Sequence, residues 1–517
     1  MGTENKDKFL FRLIRRAVAV RNVVQSGIGK INAVMGKRFS SSWLALLAVI
    51  TIVGILIFTI TIPPFLGVSD DGSFSRIMNS VGIFHYSDTP ENLYFNYYVR
   101  NYAVMPLQAT NVAHTSLLLF IRFALFLNNL FGNGSNFDMR FMGLVYGLMF
   151  LPAIYMIVKQ AVVRTGNFTE SLIVMTLGVL IFGDITYCEY FCSFYKEPLM
   201  FVCALLCMGA LMSMRSEGPD VLRILVFIGA GMVLTLVKKQ CSLVGFILAL
   251  MSMRLFFVKK DGAWRTICVA GAIALLVCTS LSFFYIDSDF TIESKYNAMT
   301  RGVLLESKDP AKTLEEFAID PSYEILADTS AYATPPTVKA DNKVLYSGFY
   351  DKYDSMSILI YYLKHPGSML GMLDISVRAS MESVRGYNGN YEKSAGKSPM
   401  SKSVFWTAWS QFKSGAAPHT IGFLVVLAIA ILILYLRRVT RSTTASDSRG
   451  TLTFITLALM LAIGLSQAVT AIVESGDGDI QKQSFLLGLA IDLVSYYLVA
   501  EVIHRTNIFA GKASEKK

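Results

Sequence analysis

Residues 43–66 read WLALLAVITIVGILIFTITIPPFL, and after three more residues the chain carries two adjacent aspartates, Asp70 and Asp71. The apolar run is about 24 residues long, which lets a helix rising about 1.5 Å per residue cross a bilayer core of about 30 Å. Carboxylates at the end of a membrane helix are costly to desolvate and usually serve a function. The placement therefore predicts a reactive site at the membrane surface, where a carboxylate can act as a general base.

The composition is that of a membrane protein. Hydrophobic residues make up 53% of the chain, charged residues only 16%, and the mean hydropathy is +0.49. Soluble domains contain about 25% charged residues. We therefore predict an α-helical polytopic membrane protein with about ten transmembrane helices. The predicted spans are 43–66, 139–158, 169–187, 198–214, 222–237, 241–257, 266–286, 420–436, 451–473 and 484–503.

Lysine and arginine indicate the orientation of these spans. They are concentrated in the segments 1–42, 215–223, 254–265, 437–449 and 504–517. Because cytoplasmic loops carry the excess of basic residues, we predict that these segments and both termini are cytoplasmic. The net charge of +10 is then a topology signal, and we expect no nucleic-acid partner. The first apolar run is too long for a cleavable signal and lacks a small-residue cleavage site.

The topology divides the chain into a basic cytoplasmic tail and two membrane parts separated by a polar segment. The predicted units are 1–42 (cytoplasmic tail), 43–286 (transmembrane module, with a first extracytoplasmic loop at 67–138), 287–418 (an extracytoplasmic domain of about 130 residues), 419–506 (C-terminal transmembrane helices) and 507–517 (cytoplasmic tail).

Both outer segments contain predicted helices. The apolar stretch 114–131 has Arg122 in its middle, and we expect a helix on the membrane surface, because a crossing would invert the later charge pattern. Segment 354–373 is predicted to be an amphipathic helix.

Four charged clusters, remote from one another in sequence, fall on the predicted outer face. The orientation was assigned from the cytoplasmic charges alone, so this coincidence is independent evidence for a site. The clusters are Asp70–Asp71, residues 192–198 (CSFYKEP), Lys238–Lys239–Gln240 and residues 474–482 (ESGDGDIQK).

Lys238 and Lys239 run against the positive-inside tendency, since they lie between two apolar spans on the outer side. Ammonium groups at that depth need an anion, and a lipid phosphate is the natural one. The alternative is that they snorkel to the headgroups. Neighbouring helical residues point about 100° apart, so we expect one of the two, Lys239, to face the site.

Four other residues carry open alternatives. Glu197 precedes Pro198 and either serves the site or is an ordinary first-turn acid favoured by the helix dipole. Arg140 either pairs with a carboxylate or anchors its helix. Arg378 and Arg385 lie seven residues apart on one helical face, and either hold a phosphate or form a solvated face.

Two acidic segments have structural alternatives as well. The Gly-Asp-Gly-Asp stretch 476–479 could bind a cation, but it lacks calcium-loop spacing and a turn is the competing interpretation. The Asp70–Asp71 pair could cap the helix that follows it. One aspartate could then cap while the other is catalytic.

The arrangement resembles the GT-C superfamily, whose members are multi-pass glycosyltransferases that use polyprenyl-phosphate-linked sugars. The matching elements are SDDG (69–72), the apolar stretch before DMRFM (138–142), FYKEP (194–198) and GDGDIQKQ (476–483) followed by Asp492. The last of them is similar to a G-D-G-x-x-D-x-x-K-H element of bacterial GT-C-like proteins. In this chain the spacing within the element is shorter, and Gln483 stands where histidine is expected.

The resemblance implies an enzyme, an inverting hexosyl or pentosyl transferase in the bacterial cell membrane. It would move a sugar from a polyprenyl-phosphate donor to a surface glycan or glycolipid at the outer leaflet. Asp71 or Asp70 would be the general base. The implied donor-phosphate ligands are Lys239, Lys238, Arg378 and Arg385, and the residues that orient sugar or acceptor are Glu197, Arg140, Asp477, Asp479 and Lys482. No cofactor is firmly implied, although a divalent cation, Mg²⁺ or Mn²⁺, at Asp70 and Asp71 is compatible with the superfamily.

Three alternatives remain open. A lipid-linked glycan transporter or flippase should show charges deep within helices, broken helices and inverted repeats, whereas the charges of this chain gather at one face. An O-antigen-type polymerase would rely on arginines in large outer loops, for which Arg378 and Arg385 are candidates. A structural membrane protein gives no reason for the four clusters to share a face.

Overall fold

The computed structural model describes residues 25–36, 38–86, 94–107, 112–132, 134–215, 218, 220–286, 292–333, 338–382, 388–440 and 448–506, with the backbone alone for 437–440 and 448–449. Arg385, one of the predicted phosphate ligands, lies outside this part of the chain. The described residues are mostly helical, which confirms the predicted class of an α-helical multi-pass membrane protein.

Five helices are long and apolar enough to cross a membrane, and two bent helix pairs raise the number to seven if each pair is one span. The five are Ser41–Thr61, Arg140–Val162, Gly262–Tyr285, Gly450–Ser475 (the apolar part of the helix Ser448–Ser475) and Phe485–Thr506. The bent pairs are Phe168–Phe182 with Ile185–Phe191 (45°) and Ala408–Ala416 with Ile421–Leu436 (112°).

The remaining predicted spans correspond to shorter helices. Glu197–Ser213 and Val221–Thr235 are apolar, and Ser242–Leu255 follows the Lys238–Gln240 cluster. All ten predicted spans therefore overlap a helix, but only five to seven of the described helices or bent pairs reach membrane-spanning length. Residues of Glu197–Ser213 are almost all buried, so this helix lies in the middle of the bundle.

The first loop, 67–138, combines short helices with a small sheet. Its helices are Phe74–Asn79 and Leu117–Phe131, the second of which matches the predicted helix at 114–131. Three antiparallel strands, β1 (Ile83–Phe84), β2 (Asn101–Val104) and β3 (Asn136–Asp138), are arranged in the order β1-β2-β3. In their register Ile83 pairs with Val104, and Tyr102 pairs with Phe137.

The segment 287–418 is built from short helices. The predicted helix at 354–373 is interrupted: Ser355–Lys364 ends at His365, and Pro366 begins a second helix, Pro366–Ser380. The break has a local cause, because proline disfavours the helical conformation of the residue before it. The other elements are Ile292–Asn297, a π turn at Ala298–Val303, Pro310–Glu316, Pro321–Leu326, Val344–Gly348, Tyr350–Lys352, Lys393–Ala395 and Ala408–Ala416.

One extended segment joins this part of the chain to the acidic pair. Residues 388–391 run antiparallel to 66–69: the Gly67 amide donates to the Asn390 carbonyl (3.1 Å) and the Ser69 amide to the Gly389 carbonyl (3.0 Å). A Cβ at position 389 would lie 2.1 Å from the Asn96 carbonyl oxygen, so only glycine fits. The segment therefore fixes the backbone directly before Asp70.

Candidate active site

Asp70 is a buried capping residue. It is 5% exposed, and its Oδ1 accepts hydrogen bonds from the backbone amides of Gly72 (2.8 Å) and Phe74 (3.2 Å). These amides lie at the start of the helix Phe74–Asn79, where backbone donors have no partner within the helix. The capping interpretation therefore holds for Asp70.

The second oxygen of Asp70 faces a histidine. Asp70 Oδ2 lies 3.7 Å from His85 Nε2, and both atoms are buried with no hydrogen-bond partner within the described structure. The ring of Tyr102 stands 5.2 Å from that of His85. Burial, with a smaller contribution from the Asp70 carboxylate, raises the pKa of Tyr102 well above its ordinary value. The sequence did not single out His85, since only the β1–β2 pairing brings it to Asp70.

Asp71 faces the opposite way and meets a lysine from the far end of the chain. Its Oδ1 accepts from the Ser73 amide (3.0 Å), and its Oδ2 lies 3.1 Å from Lys482 Nζ. Lys482 also donates to Ser73 Oγ at 3.3 Å, and its ammonium sits 5.0 Å from the centre of the Tyr195 ring. The first and last predicted clusters are thus joined by an ion pair, of which Lys482 is 16% exposed.

Glu197 and Lys238 form a second ion pair, and this one is fully buried. Lys238 Nζ lies 2.6 Å from Glu197 Oε1, with side chains that are 3% and 0% exposed. Lys239 instead places its ammonium 5.1 Å from the centre of the Phe283 ring. Lys238, and not Lys239, therefore makes the contact with another cluster, whereas the role of Lys239 at a donor site stays a prediction. The helix ends at Thr235 and Lys238 has extended backbone, so helical spacing does not apply to the two lysines.

Two more contacts close the network. Gln240 Nε2 donates to Glu474 Oε2 at 2.7 Å, and the Tyr195 hydroxyl donates to the Ser69 carbonyl at 2.8 Å. With the two ion pairs, each of the four clusters therefore contacts at least one other, and Ser69, which the Tyr195 hydroxyl binds, directly precedes the acidic pair. The predicted convergence of the clusters is confirmed, while the chemical roles of their residues stay predictions.

The predicted arginines lie elsewhere. Arg140 binds Asp138 through Nε (2.8 Å) and Nη2 (2.6 Å), so its carboxylate partner is the residue two positions before it. Arg378 is 68% exposed and lies 3.7 Å from Asp374, as expected for a solvated helical face.

The Gly-Asp-Gly-Asp stretch forms a turn. Asp477 accepts from Arg301 Nε at 2.8 Å and also contacts its Nη2, which ties the stretch to the 287–418 segment. Gly476 and Asp479 have positive φ angles of 58° and 60°, and Asp479 precedes the short helix Ile480–Gln483. The sequence offered no signal for Arg301, because the contact joins positions 176 residues apart.

The residues of the resembling element beyond this turn are also paired. Gln483 accepts from Ser475 Oγ at 2.9 Å, where the superfamily element would have histidine. Asp492 contacts the Tyr187 hydroxyl and lies 3.0 Å from Lys413 Nζ, in an ion pair whose side chains are 0% and 2% exposed. This second buried pair joins the last membrane helix to the helix Ala408–Ala416.

The predicted divalent cation finds few ligands here. No group of three or more His, Cys, Asp or Glu side chains in the described residues is placed to hold a metal ion. At the acidic pair itself, Asp71 already forms an ion pair with Lys482. The side chains of Asp70 and His85 are then the two that could bind a metal ion there. These side chains alone do not build a cation site of the usual ligand number.

A small cleft of about 80 Å³ opens beside the Asp71–Lys482 pair, and four of the ten residues that line it are arginine, lysine or histidine. None of the described residues that line it is acidic. A cleft lined by one sign of charge concentrates ions of the opposite sign. The geometry therefore favours an anionic ligand next to the Asp71–Lys482 pair. Its polar and aromatic lining residues are Ser73, Arg76, His114, Thr115, Phe194, Tyr195, Lys196 and Lys482.

A larger, apolar cavity of about 390 Å³ lies between the helices Ser41–Thr61 and Arg140–Val162. Its lining is aliphatic and aromatic apart from Thr61 and Arg140. Thr61 is the last residue of the first helix, and Arg140 is the first residue of the second. Such a lining suits a hydrocarbon chain.

The described chain is a multi-pass helical bundle with acidic and basic side chains joined at its loops. The chain belongs to the family of the YfdI N-terminal transmembrane domain, a GT-C-type glycosyltransferase family, whose model matches residues 32–517. The resemblance seen in the sequence is thereby confirmed.

Among solved structures, the chain is similar to the archaeal oligosaccharyltransferase AglB from Archaeoglobus fulgidus in complex with an inhibitory peptide and a dolichol-phosphate. The identity is 8%, the TM-score is 0.38, and the match covers 92% of this chain and 52% of AglB. The chain thus spans about half the length of that enzyme. No curated protein matches the chain.

Proposed function

We propose that the chain transfers a sugar, with inversion, from a polyprenyl-phosphate donor to a cell-surface glycan or glycolipid at the outer leaflet. The observation that carries the proposal is the contact between Asp71 and Lys482 at the edge of a cleft lined by basic side chains. The contact places a carboxylate that can accept a proton beside cations that can hold a phosphate.

The basic residues of the cleft supply the electrostatics of the donor site. Arg76, Lys196 and Lys482 supply its basic side chains, and His114 stands beside them. When the glycosidic bond breaks, negative charge accumulates on the departing polyprenyl phosphate. Fixed positive groups stabilise that charge more in the transition state than in the bound donor, which speeds the reaction. Arg76, Lys196 and His114 thus join the predicted phosphate ligands, to which the sequence had assigned other basic residues.

Asp71 is the general base of the proposed reaction. Its carboxylate takes the proton of the acceptor hydroxyl while the hydroxyl oxygen attacks the anomeric carbon. The bond from that carbon to the phosphate oxygen breaks, and the electron pair leaves with the polyprenyl phosphate. Attack from the face opposite the leaving group inverts the configuration. Lys482, which binds Asp71 at 3.1 Å, would transfer to the donor phosphate and release the carboxylate for proton transfer.

Asp70 positions the loop, since its Oδ1 holds the amides of Gly72 and Phe74. The Glu197–Lys238 pair would hold the bundle together below the cleft instead of binding phosphate. The apolar cavity beside Ser41–Thr61 is the proposed place for part of the polyprenyl chain. The divalent cation remains a prediction of the resemblance, and none of these steps requires it.

The proposal is tested by complementing cells that lack the gene and identifying their surface glycans by mass spectrometry. We expect the wild type to restore a sugar modification and Asp71→Asn to lower the rate of its appearance about 10²–10⁴-fold, the usual contribution of a general base. Lys352→Ala, at an exposed position of the 287–418 segment, is the charge-removal control. A wild-type level of modification with Asp71→Asn, at equal expression, would remove the proposed catalytic role.

The transporter alternative gains two observations, namely the two bent helix pairs and the buried ion pair of Lys413 with Asp492, which lies within the last membrane helix. Proteoliposomes distinguish the two functions. With donor lipid and acceptor glycan accessible on the same side of the membrane, a transferase forms product and a flippase does not.

A further inference from the structure

A second polar cavity, of about 350 Å³, lies near the acidic pair and has no part in the reaction described above. Its volume falls in the range of about 300–1,000 Å³ that small-molecule sites occupy. The residues come from two regions remote in sequence, 186–189 and 381–414. Those that bear on the argument are Glu189, Glu382, Asn390, Lys402, Gln411 and Ser414.

The lining is rich in hydroxyl and amide groups, which both donate and accept hydrogen bonds. Serine and threonine supply five of the twelve lining residues, and Asn390 and Gln411 add two amides. Glu189, which is 2% exposed, accepts from Asn390 Nδ2 at 2.8 Å and is held in a fixed orientation. A hydroxyl oxygen whose hydrogen binds within the protein, as that of Ser414 does to the Gln411 carbonyl, still accepts, and the vicinal hydroxyls of a sugar ring can donate to it.

The charge of this cavity differs from that of the basic cleft. Two acidic side chains, Glu189 and Glu382, and one lysine, Lys402, belong to its lining. It therefore presents one basic side chain, against Arg76, Lys196, Lys482 and His114 in the cleft. The two cavities therefore select different ligands: an anion beside Lys482, and an uncharged polar molecule beside Glu189.

Two sets of contacts connect the polar cavity to Asp71. The Asn390 backbone, which carries the amide that holds Glu189, pairs with Gly67 three residues before Asp70. On the other side, Gln481 Nε2 donates to the Glu382 carboxylate at 3.2 Å, and Gln481 directly precedes Lys482. Hydrogen bonds therefore connect the lining of this cavity to the chain segments that carry Asp71 and Lys482.

We propose that this cavity binds the sugar rings of a neutral, hydroxyl-rich glycan, which is the acceptor of the reaction. The assignment as acceptor rests on the proposed function, whereas the class of ligand follows from the lining alone. The site would hold the glycan on the side of the Asp71 loop that the lipid phosphate does not use.

The test is saturation-transfer NMR on the full chain in lipid nanodiscs. The probes are methyl glucoside, methyl mannoside, methyl rhamnoside and N-acetylglucosamine, with inorganic phosphate as competitor. We expect saturable binding of at least one glycoside and a loss of at least tenfold in affinity in Gln411→Trp and Ser414→Trp, which fill the cavity. Lys343→Trp, at an exposed position away from the lining, should bind as the wild type does.

Three results would overturn the proposal: no saturable binding of any of the four glycosides, unchanged binding in both filled variants, or displacement of the glycoside by phosphate. Should the tryptophan variants fail to fold, Gln411→Ala decides through the same readout. Binding that persists in Asp71→Asn while that variant keeps full transfer would refute the proposed base and leave the glycan site standing. Transfer that needs Asp71 without glycoside binding here would refute the glycan site alone.

Discussion

The Glu197–Lys238 pair allows a structural contact to be distinguished from a ligand site by a double-mutant cycle. Unit charges 2.6 Å apart attract by about 6 kcal/mol at an effective dielectric constant of about 20. Desolvation offsets much of this attraction, because the side chains are 0% and 3% exposed. Removing one partner leaves a buried charge, and Glu197 Oε2 already has no hydrogen-bond partner within the described structure.

We therefore expect Lys238→Met to lower the free energy of unfolding by about 3–5 kcal/mol, and Glu197→Gln by a similar amount. The double variant should lose no more than about 2 kcal/mol, since no unpaired charge remains. The coupling energy would then be at least about 4 kcal/mol, or nearly a thousandfold in the unfolding equilibrium constant. The assay is equilibrium unfolding in mixed micelles followed by tryptophan fluorescence.

Two results would refute this reasoning. One is a loss below 1 kcal/mol in either single variant, and the other is a double variant whose loss equals the sum of the two single losses. If Lys238 bound the donor phosphate instead, Lys238→Met would raise the KM for the lipid donor and leave unfolding unchanged.

Two further predictions follow from the site and its supporting turn. Lys482→Ala should lower kcat/KM for the lipid donor about 10–100-fold, since it removes a charged hydrogen bond worth about 1.5–3 kcal/mol. The control variant Lys352→Ala should leave the kinetics unchanged. Equal kinetics in both variants would exclude Lys482 from the reaction. Gly476→Ala should lower the free energy of unfolding by at least about 1–3 kcal/mol, because φ is +58° and a Cβ would lie 2.6 Å from the Asn297 carbonyl oxygen. Gly415→Ala, where a Cβ meets no atom within 4 Å, is the matched control, and equal thermal stability of the two variants would contradict the argument.

The positions of the helices were predictable because the membrane imposes a simple rule. Backbone polar groups must be satisfied inside each apolar segment, so hydropathy alone locates the helices. Their lengths were less accessible: the predicted span 222–237 ends as a helix at Thr235, and 169–187 bends near Gly183. The apolar pattern encodes neither the helix end at Thr235 nor the bend near Gly183. Polar residues follow each of them, Lys238 after the first and Asp184 after the second.

The convergence of charges was predictable, whereas their pairing was not. The sequence placed Asp71, Glu197, Lys238 and Lys482 on one face, but it did not indicate that Lys482 would meet Asp71. Which charged residues form ion pairs depends on how the loops pack against one another, and this packing cannot be read from the sequence. His85 follows from this point as well, because its approach to Asp70 depends on strands of two to four residues that hydropathy does not detect.

The side chains of the two adjacent aspartates are similarly buried, 3% and 5% exposed, but they have different partners, and this difference is the strongest argument for a division of labour. Asp70 is enclosed, with one oxygen on two backbone amides and the other toward His85. Asp71 holds Lys482, whose ammonium reaches the basic cleft. A base must reach its substrate, and Asp71 is the one of the two whose ion-pair partner lines the cleft. Because Asp70 holds the backbone amides of Gly72 and Phe74, it helps to set where the Asp71 carboxylate lies, as the proposed reaction requires of a residue that supports the base.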